Sequence, residues 1–126
     1  MPSASARVVV VEDDDSGREA TARLLDAAGF SVVAFESAET LLADTSWLES
    51  GCIVSDWKLP ALSGLDLLSS LRERGVTMPL ILVTAHDSPR VRDEAMRCGA
   101  AAYLAKPFHA VELLDAVRTA IASYRA

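Results

Sequence analysis

Five short apolar runs separated by longer amphipathic segments constrain this chain more than any other feature. The runs are mostly continuous in apolar character, which is typical of strands buried on both faces. Their alternation with amphipathic segments predicts an α/β domain whose parallel sheet carries helices on both faces. The predicted strands are Arg7 to Val11, Phe30 to Phe35, Cys52 to Ser55, Leu80 to Val83 and Ala101 to Leu104.

The segments between the runs carry apolar side chains at helical spacing, so each can cover the sheet with one face. Ser63 and Asp66 resemble a capping box at the start of one segment. The second segment has only a short apolar stripe and predicts a helix from about Ser37 to Thr45. Glycines that suit helix C-termini follow three segments, at Gly29, Gly75 and Gly99.

Length and composition predict one domain covering residues 1–126. A chain of 126 residues that is 51% hydrophobic can bury a core without disulfides or structural metals. We find no internal repeat, linker or low-complexity segment. Because the chain stops directly after the last amphipathic segment, we expect no effector domain within these residues.

The charge balance and the N-terminal segment argue against nucleic-acid and membrane functions. Lys and Arg number 12 against 18 Asp and Glu, giving a net charge of −6, and no basic run is present. Direct nucleic-acid binding is therefore not expected. The segment Met1 to Ala6 lacks a charged start and a long apolar core, so we expect no signal peptide, no membrane span and a cytoplasmic location.

The two cysteines are far apart in sequence. Cys52 stands in an apolar run and Cys98 near a predicted helix C-terminus, so both are interpreted as small buried thiols. A metal site built from them is not expected.

Polar side chains stand where four of the apolar runs end. Glu12 and Asp13 follow the first run, Asp56 the third, Thr84 the fourth and Lys106 the fifth. In open parallel sheets, ligands bind beyond the carboxyl ends of the strands. We therefore expect these distant side chains to converge, with Asp56 as a candidate nucleophile.

The chemistry of this group predicts a magnesium-dependent phosphoryl site. Three carboxylates, from Glu12, Asp13 and Asp56, repel one another unless a cation or protons intervene. Oxygen ligands without His or Cys favour a hard divalent ion such as Mg²⁺, which also binds substrate phosphates. Lys106 would offer a fixed positive charge to a phosphoryl oxygen, and the Thr84 hydroxyl a neutral donor.

The order of these motifs closely resembles the receiver domains of two-component response regulators over essentially the whole chain. The matching residues are Glu12-Asp13, Asp56 with Pro60 and Ser63-Gly64, Val83-Thr84-Ala85, and Tyr103-Leu104-Ala105-Lys106-Pro107-Phe108. Arg18 and Ser37-Ala38-Glu39 most resemble receivers of the FixJ type. The resemblance implies a flavodoxin-like (βα)5 doubly wound sheet in the order 2-1-3-4-5, a single domain.

The resemblance also implies the role of each site residue. Asp56 would accept a phosphoryl group from the phosphohistidine of a sensor histidine kinase or phosphotransfer protein, assisted by Thr84 and Lys106. Mg²⁺ would be held by Glu12, Asp13, Asp56 and the backbone carbonyl of Trp57. Lys106-Pro107 would be a cis peptide. Such a protein is a signalling switch that catalyses its own phosphorylation and dephosphorylation rather than an enzyme acting on other substrates.

Signal output is implied in the same way. Thr84 would move towards the phosphoryl group and Tyr103 would turn inward, so that the population shifts between two states. Lys58 and His86 would tune dephosphorylation by controlling access of water. The face from Val91 to Tyr124 would contact an effector domain or form a homodimer.

Four of these residues also have plain structural interpretations. The Trp57 indole could line the pocket mouth or meet the kinase, but packing on a neighbouring loop is favoured. Tyr103 could be an ordinary strand aromatic whose hydroxyl reaches water. Lys58 and His86 could be ordinary exposed loop residues.

Three other functions are weighed against the receiver interpretation. A phosphorylation-independent interaction module would keep the acidic site as a mere Mg²⁺ scaffold, and the intact set of site residues argues against it. A flavodoxin-like electron carrier needs a loop rich in Ser, Thr or Gly after the first strand, where four consecutive acids stand. An aspartyl-phosphate phosphohydrolase needs a second catalytic Asp two residues after Asp56, where Lys58 stands.

Overall fold

A computed structural model describes residues 6–125, in which five strands alternate with five helices. The strands form one parallel sheet in the order β2-β1-β3-β4-β5, which confirms the flavodoxin-like fold. The elements are β1 (Arg7–Val11), α1 (Asp15–Ala27), β2 (Ser31–Phe35), α2 (Ala38–Leu42), β3 (Cys52–Asp56), α3 (Gly64–Glu73), β4 (Leu80–Thr84), α4 (Pro89–Arg97), β5 (Ala102–Ala105) and α5 (Ala110–Arg125).

Both faces of the sheet are buried, because successive side chains of a strand point to opposite sides. Val9 and Ile53 belong to one core cluster, which also contains side chains of α2, α3 and α4. Val8 and Val54 belong to the cluster on the other face, which contains side chains of α1 and α5. The continuous apolar character of the runs follows from this double burial.

Local sequence sets the start of α3 and the ends of three helices as predicted. The Ser63 hydroxyl accepts a hydrogen bond from the Asp66 amide at 3.1 Å, and the Asp66 carboxylate accepts one from the Ser63 amide at 3.0 Å. This reciprocal capping box starts α3 next to the candidate site. The three predicted helix-ending glycines adopt positive φ angles.

Several strand boundaries differ slightly from the sequence expectation. β3 and β4 continue through Asp56 and Thr84, because parallel pairing with the neighbouring strands extends to these residues. β5 covers Ala102–Ala105, and β2 begins at Ser31. Asp56 and Thr84 are therefore the last residues of their strands rather than the first residues of loops.

The second helix is shorter than expected. α2 ends at Leu42 instead of near Thr45. Beyond it, the buried Trp47 indole donates its Nε1–H to the carbonyls of Leu41 and Asp44, both at 2.7 Å. Because these bonds satisfy carbonyls at the helix end, the chain leaves the helix there.

The expectation of two buried thiols is correct for Cys52 and wrong for Cys98. Cys52 is buried, and burial raises the pKa of its thiol to about 12. Cys98 is exposed because it is the C-cap of α4, a helix that buries only Ala95.

Across residues 6–125, no helix is long and apolar enough to cross a membrane. The N-terminal segment, for which no signal peptide is expected, lies outside the described residues except for Ala6.

Candidate functional site

The carboxyl ends of β1, β3 and β5 bring three of the candidate side chains into contact. The Lys106 Nζ lies 2.7 Å from Glu12 Oε1 and 3.5 Å from Asp56 Oδ1. Carboxylate oxygens of Glu12, Asp13 and Asp56 all lie within 4.8 Å of one another. Residues separated by as many as 94 positions therefore form one cluster.

Backbone contacts hold Glu12 in this cluster. Its amide donates to the carbonyl of Phe35 at 3.1 Å, and its carbonyl accepts from the Arg18 guanidinium at 2.9 Å. The Asp14 amide donates to the Glu12 carboxylate at 3.3 Å. Glu12 is only 7% exposed, so its side chain is surrounded by these neighbours and by Lys106 and has little contact with solvent.

Burial and a neighbouring like charge both act on the Asp56 carboxyl group. Burial, followed by the charge of Glu12, raises the pKa of Asp56 to about 6, while Lys106 acts in the opposite direction. Burial by itself would lower the pKa of Lys106, but the hydrogen bond to Glu12 and the charge of Asp56 outweigh burial and raise it. Lys106 is therefore a permanent cation, and the acidic cluster carries more negative charge than Lys106 neutralises.

The donor set fits a hard divalent cation. Three ionised carboxylates beside one ammonium leave two net negative charges, which one divalent ion would balance. All the clustered ligand atoms are oxygens, the type that Mg²⁺ prefers. The predicted backbone ligand is the carbonyl of Trp57, which accepts a hydrogen bond from the Gly64 amide at 2.8 Å. The second lone pair of this oxygen is left for a metal ion.

Gly64 has a packing role that the sequence motif did not reveal. A Cβ atom at this position would lie 2.6 Å from the Asp56 carbonyl oxygen and 2.7 Å from Leu82 Cδ2. Only glycine lets α3 begin this close to the end of β3. This close approach brings the Gly64 amide within hydrogen-bond distance of the Trp57 carbonyl.

Thr84 lies at the end of β4, where it is 1% exposed. Its Oγ1 accepts a hydrogen bond from the His86 amide at 2.9 Å, and its carbonyl accepts one from the Lys106 amide at 2.8 Å. Lys58 and His86 are exposed, and together with Asp13 and Asp56 they line one open cleft. The two predicted tuning residues thus lie at the rim of the acidic cluster.

Trp57 and Tyr103 differ in how they relate to the cluster. The half-buried Trp57 indole packs against the core, where the favoured interpretation expected packing on a neighbouring loop, and it also lines a recess with Thr84 and His86. Tyr103 is 8% exposed, and its hydroxyl donates to Asp87 Oδ1 at 2.7 Å. The hydroxyl therefore has a protein partner, where the alternative interpretation expected water.

The loop that carries Lys106 has the expected backbone. The Lys106–Pro107 peptide is cis, as the resemblance implies.

These features define a class: a doubly wound receiver module with an acidic site at the carboxyl end of its sheet. The family model described as response regulator receiver domain matches residues 8–118, and the chain belongs to this family. Receiver domains of response regulators are signalling modules of two-component systems. The predicted family is confirmed.

Curated relatives include a FixJ protein, in agreement with the FixJ-type resemblance. The chain is 41% identical over 121 residues to the transcriptional regulatory protein FixJ of Azorhizobium caulinodans, covering 96% of this chain and 57% of that protein. It is 43% identical over 115 residues to nodulation protein W of Bradyrhizobium diazoefficiens, covering 91% and 51%. The chain thus spans about half the length of the curated relatives it matches.

Solved structures share the fold over almost the whole chain. The crystal structure of FixJ-N is 31% identical with a TM-score of 0.86, covering 94% of each chain. The response regulator StyR is 36% identical with a TM-score of 0.88, covering 97% of this chain and 62% of that one.

Proposed function

We propose that this protein accepts a phosphoryl group on Asp56 from the phosphohistidine of a sensor histidine kinase or phosphotransfer protein, in a reaction that requires Mg²⁺. The observation that carries the proposal is the cluster of Glu12, Asp13 and Asp56 with the Lys106 ammonium 2.7 Å from Glu12 and 3.5 Å from Asp56. Family membership supports the same conclusion.

In the proposed reaction, an Asp56 carboxylate oxygen forms a bond to phosphorus as the bond from phosphorus to the imidazole nitrogen breaks. The displaced imidazole keeps the electron pair of that bond. Lys106 would stabilise negative charge on a phosphoryl oxygen, and Thr84 would donate its hydroxyl to another. These three side chains are the proposed catalytic residues.

The bound metal would be held by carboxylates of Glu12, Asp13 and Asp56 and by the carbonyl of Trp57. When bound, Mg²⁺ would neutralise negative charge on the phosphoryl group and on the acidic cluster. The chain itself contributes the close placement of the carboxylates. In the absence of a cation these carboxylates repel one another, which destabilises the site. The raised pKa of Asp56 is a measure of that repulsion and of burial.

Phosphorylation would alter an interaction face through Thr84 and Tyr103. The added charge interacts with Thr84 and Lys106 in one state only, and this differential interaction shifts the population. The face from Val91 to Tyr124 would then contact an effector domain or a second copy of the chain. Lys58 and His86, at the rim of the cleft, would tune hydrolysis of the phosphoaspartate by controlling the approach of water.

The proposed setting is that of one receiver domain, residues 1–126, acting in the cytoplasm. Its net charge of −6 supports protein partners over direct nucleic-acid binding. It would act as a signalling switch that catalyses its own phosphorylation and dephosphorylation.

Incubation with acetyl phosphate and Mg²⁺, followed by intact mass measurement, tests the proposal. Wild type should gain the mass of one phosphoryl group, and EDTA should prevent the gain. Asp56→Asn should gain nothing, whereas Asp93→Asn, an exposed acid on α4, should behave like wild type. No gain on wild type, or an equal gain on Asp56→Asn, would favour a phosphorylation-independent interaction module.

A further inference from the structure

Tyr103 is held by two side chains from outside its own strand. It lies on β5, at the edge of the sheet, yet it is only 8% exposed. Its hydroxyl donates to Asp87 Oδ1 at 2.7 Å, which is a short, charge-assisted hydrogen bond. The Arg92 guanidinium carbon lies 4.8 Å from the centroid of the ring, a cation–π distance.

Asp87 belongs to a loop that is anchored at both ends. The Thr84 hydroxyl accepts from the His86 amide at 2.9 Å, immediately before Asp87. The Ser88 hydroxyl, immediately after it, accepts from the Val91 amide at 3.1 Å and caps α4. The Asp87 carboxylate is therefore presented to Tyr103 by an ordered backbone on each side.

We propose that Asp87 and Arg92 are positioning residues that keep Tyr103 buried before any phosphoryl group is attached. The inference rests on the proposed function in one respect only: Tyr103 is taken to be part of the proposed switch, and the inference concerns its position in the resting state. The hydrogen bond and the cation–π contact act in the resting chain and need no phosphoryl group. Tyr103 then contributes to the proposed switch by already holding the buried position that the phosphorylated state needs, and the displacement on phosphorylation is mainly that of Thr84.

Tyr124 provides an internal reference for a test that labels tyrosine side chains. Of its two tyrosines, Tyr124 is 42% exposed and Tyr103 is 8% exposed. Tetranitromethane nitrates accessible tyrosine rings through their phenolate form, and peptide mass mapping reads the two sites separately. In resting, metal-free wild type, Tyr124 should react and Tyr103 should be protected.

Two substitutions of Asp87 distinguish loss of the hydrogen bond to Tyr103 from loss of the negative charge. Asp87→Ala should raise the nitration rate of Tyr103 about tenfold relative to Tyr124, the factor expected for loss of one charge-assisted hydrogen bond. Asp87→Asn also removes the charge but keeps an acceptor oxygen, so it should retain most of the protection. Burial and Asp87 both raise the pKa of Tyr103, so near-ultraviolet titration should show its ionisation moving down in Asp87→Ala.

Arg92 has a matched control on the same helix. Arg92→Gln should increase the labelling of Tyr103 when rates are compared at equal phenolate fraction, because the cation over the ring is lost. The comparison at equal phenolate fraction is needed because Arg92 also lowers the pKa of Tyr103. Arg90→Gln removes an equal charge two residues earlier on α4 and should leave labelling at the wild-type rate. Equal effects of the two substitutions would overturn the role assigned to Arg92.

A phosphoryl mimic, beryllium trifluoride with Mg²⁺, completes the test. Wild-type labelling of Tyr103 should stay nearly unchanged by the mimic, while Asp87→Ala should regain protection. If resting wild type nitrates Tyr103 as fast as Tyr124 and becomes protected only with the mimic, the proposal is overturned. Failure of Asp56 to accept acetyl phosphate would refute the proposed function and leave the resting-state comparison intact.

Discussion

Replacing Asp56 with asparagine is expected to stabilise the metal-free domain at neutral pH, although it removes the proposed phosphoacceptor. The Asp56 side chain is only 14% exposed, and Glu12 places a second negative charge beside it. An amide of nearly the same shape carries no charge, so it avoids both desolvation and repulsion. The site thus stores unfavourable electrostatic energy in the absence of a cation.

The size and sign of the effect follow from the pKa of Asp56. Its folded-state pKa is about 6 against an ordinary value of 3.8. Because the folded value is the higher one, the carboxyl group stabilises the fold below its unfolded pKa, and this contribution is lost as the pH rises through 6. Two pK units correspond to about 3 kcal/mol, and solvent screening of the exposed fraction reduces the expected gain to about 2 kcal/mol.

Urea unfolding in EDTA, followed by tryptophan fluorescence, measures this difference between pH 4 and pH 8. Trp47 is buried and Trp57 half-buried, so both indoles should report the transition. Asp56→Asn should exceed wild type by about 2 kcal/mol at pH 7.5, and the two curves should converge near pH 4. The exposed Asp93→Asn serves as a charge-matched control and should track wild type throughout.

Two results would refute the reasoning. If Asp56→Asn were less stable than wild type at pH 7.5 without metal, the contacts of Asp56 with Lys106 would outweigh burial and the repulsion from Glu12. If the stability gain were the same at pH 4 and pH 8, the effect would come from packing and not from ionisation.

Three further outcomes are expected. Mg²⁺ at ten times its dissociation constant should stabilise wild type by about 1.4 kcal/mol and Asp56→Asn much less, as measured by thermal unfolding. Gly64→Ala should lower the free energy of unfolding by about 2 kcal/mol, because the new methyl group meets the Asp56 carbonyl and Leu82 at 2.6 and 2.7 Å. Lys106→Met should slow labelling by acetyl phosphate about 100-fold, as expected for loss of a charge-stabilising donor, and should raise the pKa of Asp56 further, because Lys106 lowers it.

Much of the fold was predictable because both faces of a parallel sheet are buried. Continuous apolar runs identified all five strands, and the Ser63–Asp66 capping box identified the start of α3. The errors fall where tertiary contacts override local pattern. α2 ends early because the Trp47 indole bonds to the carbonyl of Leu41, and no local signal near Thr45 reveals that contact.

The clustering of Glu12, Asp13, Asp56 and Lys106 was predictable from the sequence, whereas other contacts around the candidate site were not. The resemblance named Tyr103, but neither it nor spacing pointed to Asp87 and Arg92 as the partners of its hydroxyl and ring. In the sequence alone, Asp87 is indistinguishable from other acidic loop residues, and Arg92 is indistinguishable from other charged residues on an exposed helix face. Side-chain pairing across elements depends on loop geometry, which residue spacing does not encode.

The amino-acid sequence by itself determined the strand and helix order and the residue types at each strand end, because burial and helix capping act over a few neighbouring positions. Only the tertiary structure decided that Lys106 bridges Glu12 and Asp56, that Cys98 faces solvent and that Asp87 accepts a hydrogen bond from Tyr103. These facts depend on distances between residues far apart in the chain. Such distances are set by the packing of whole elements against one another and not by any local run of residues.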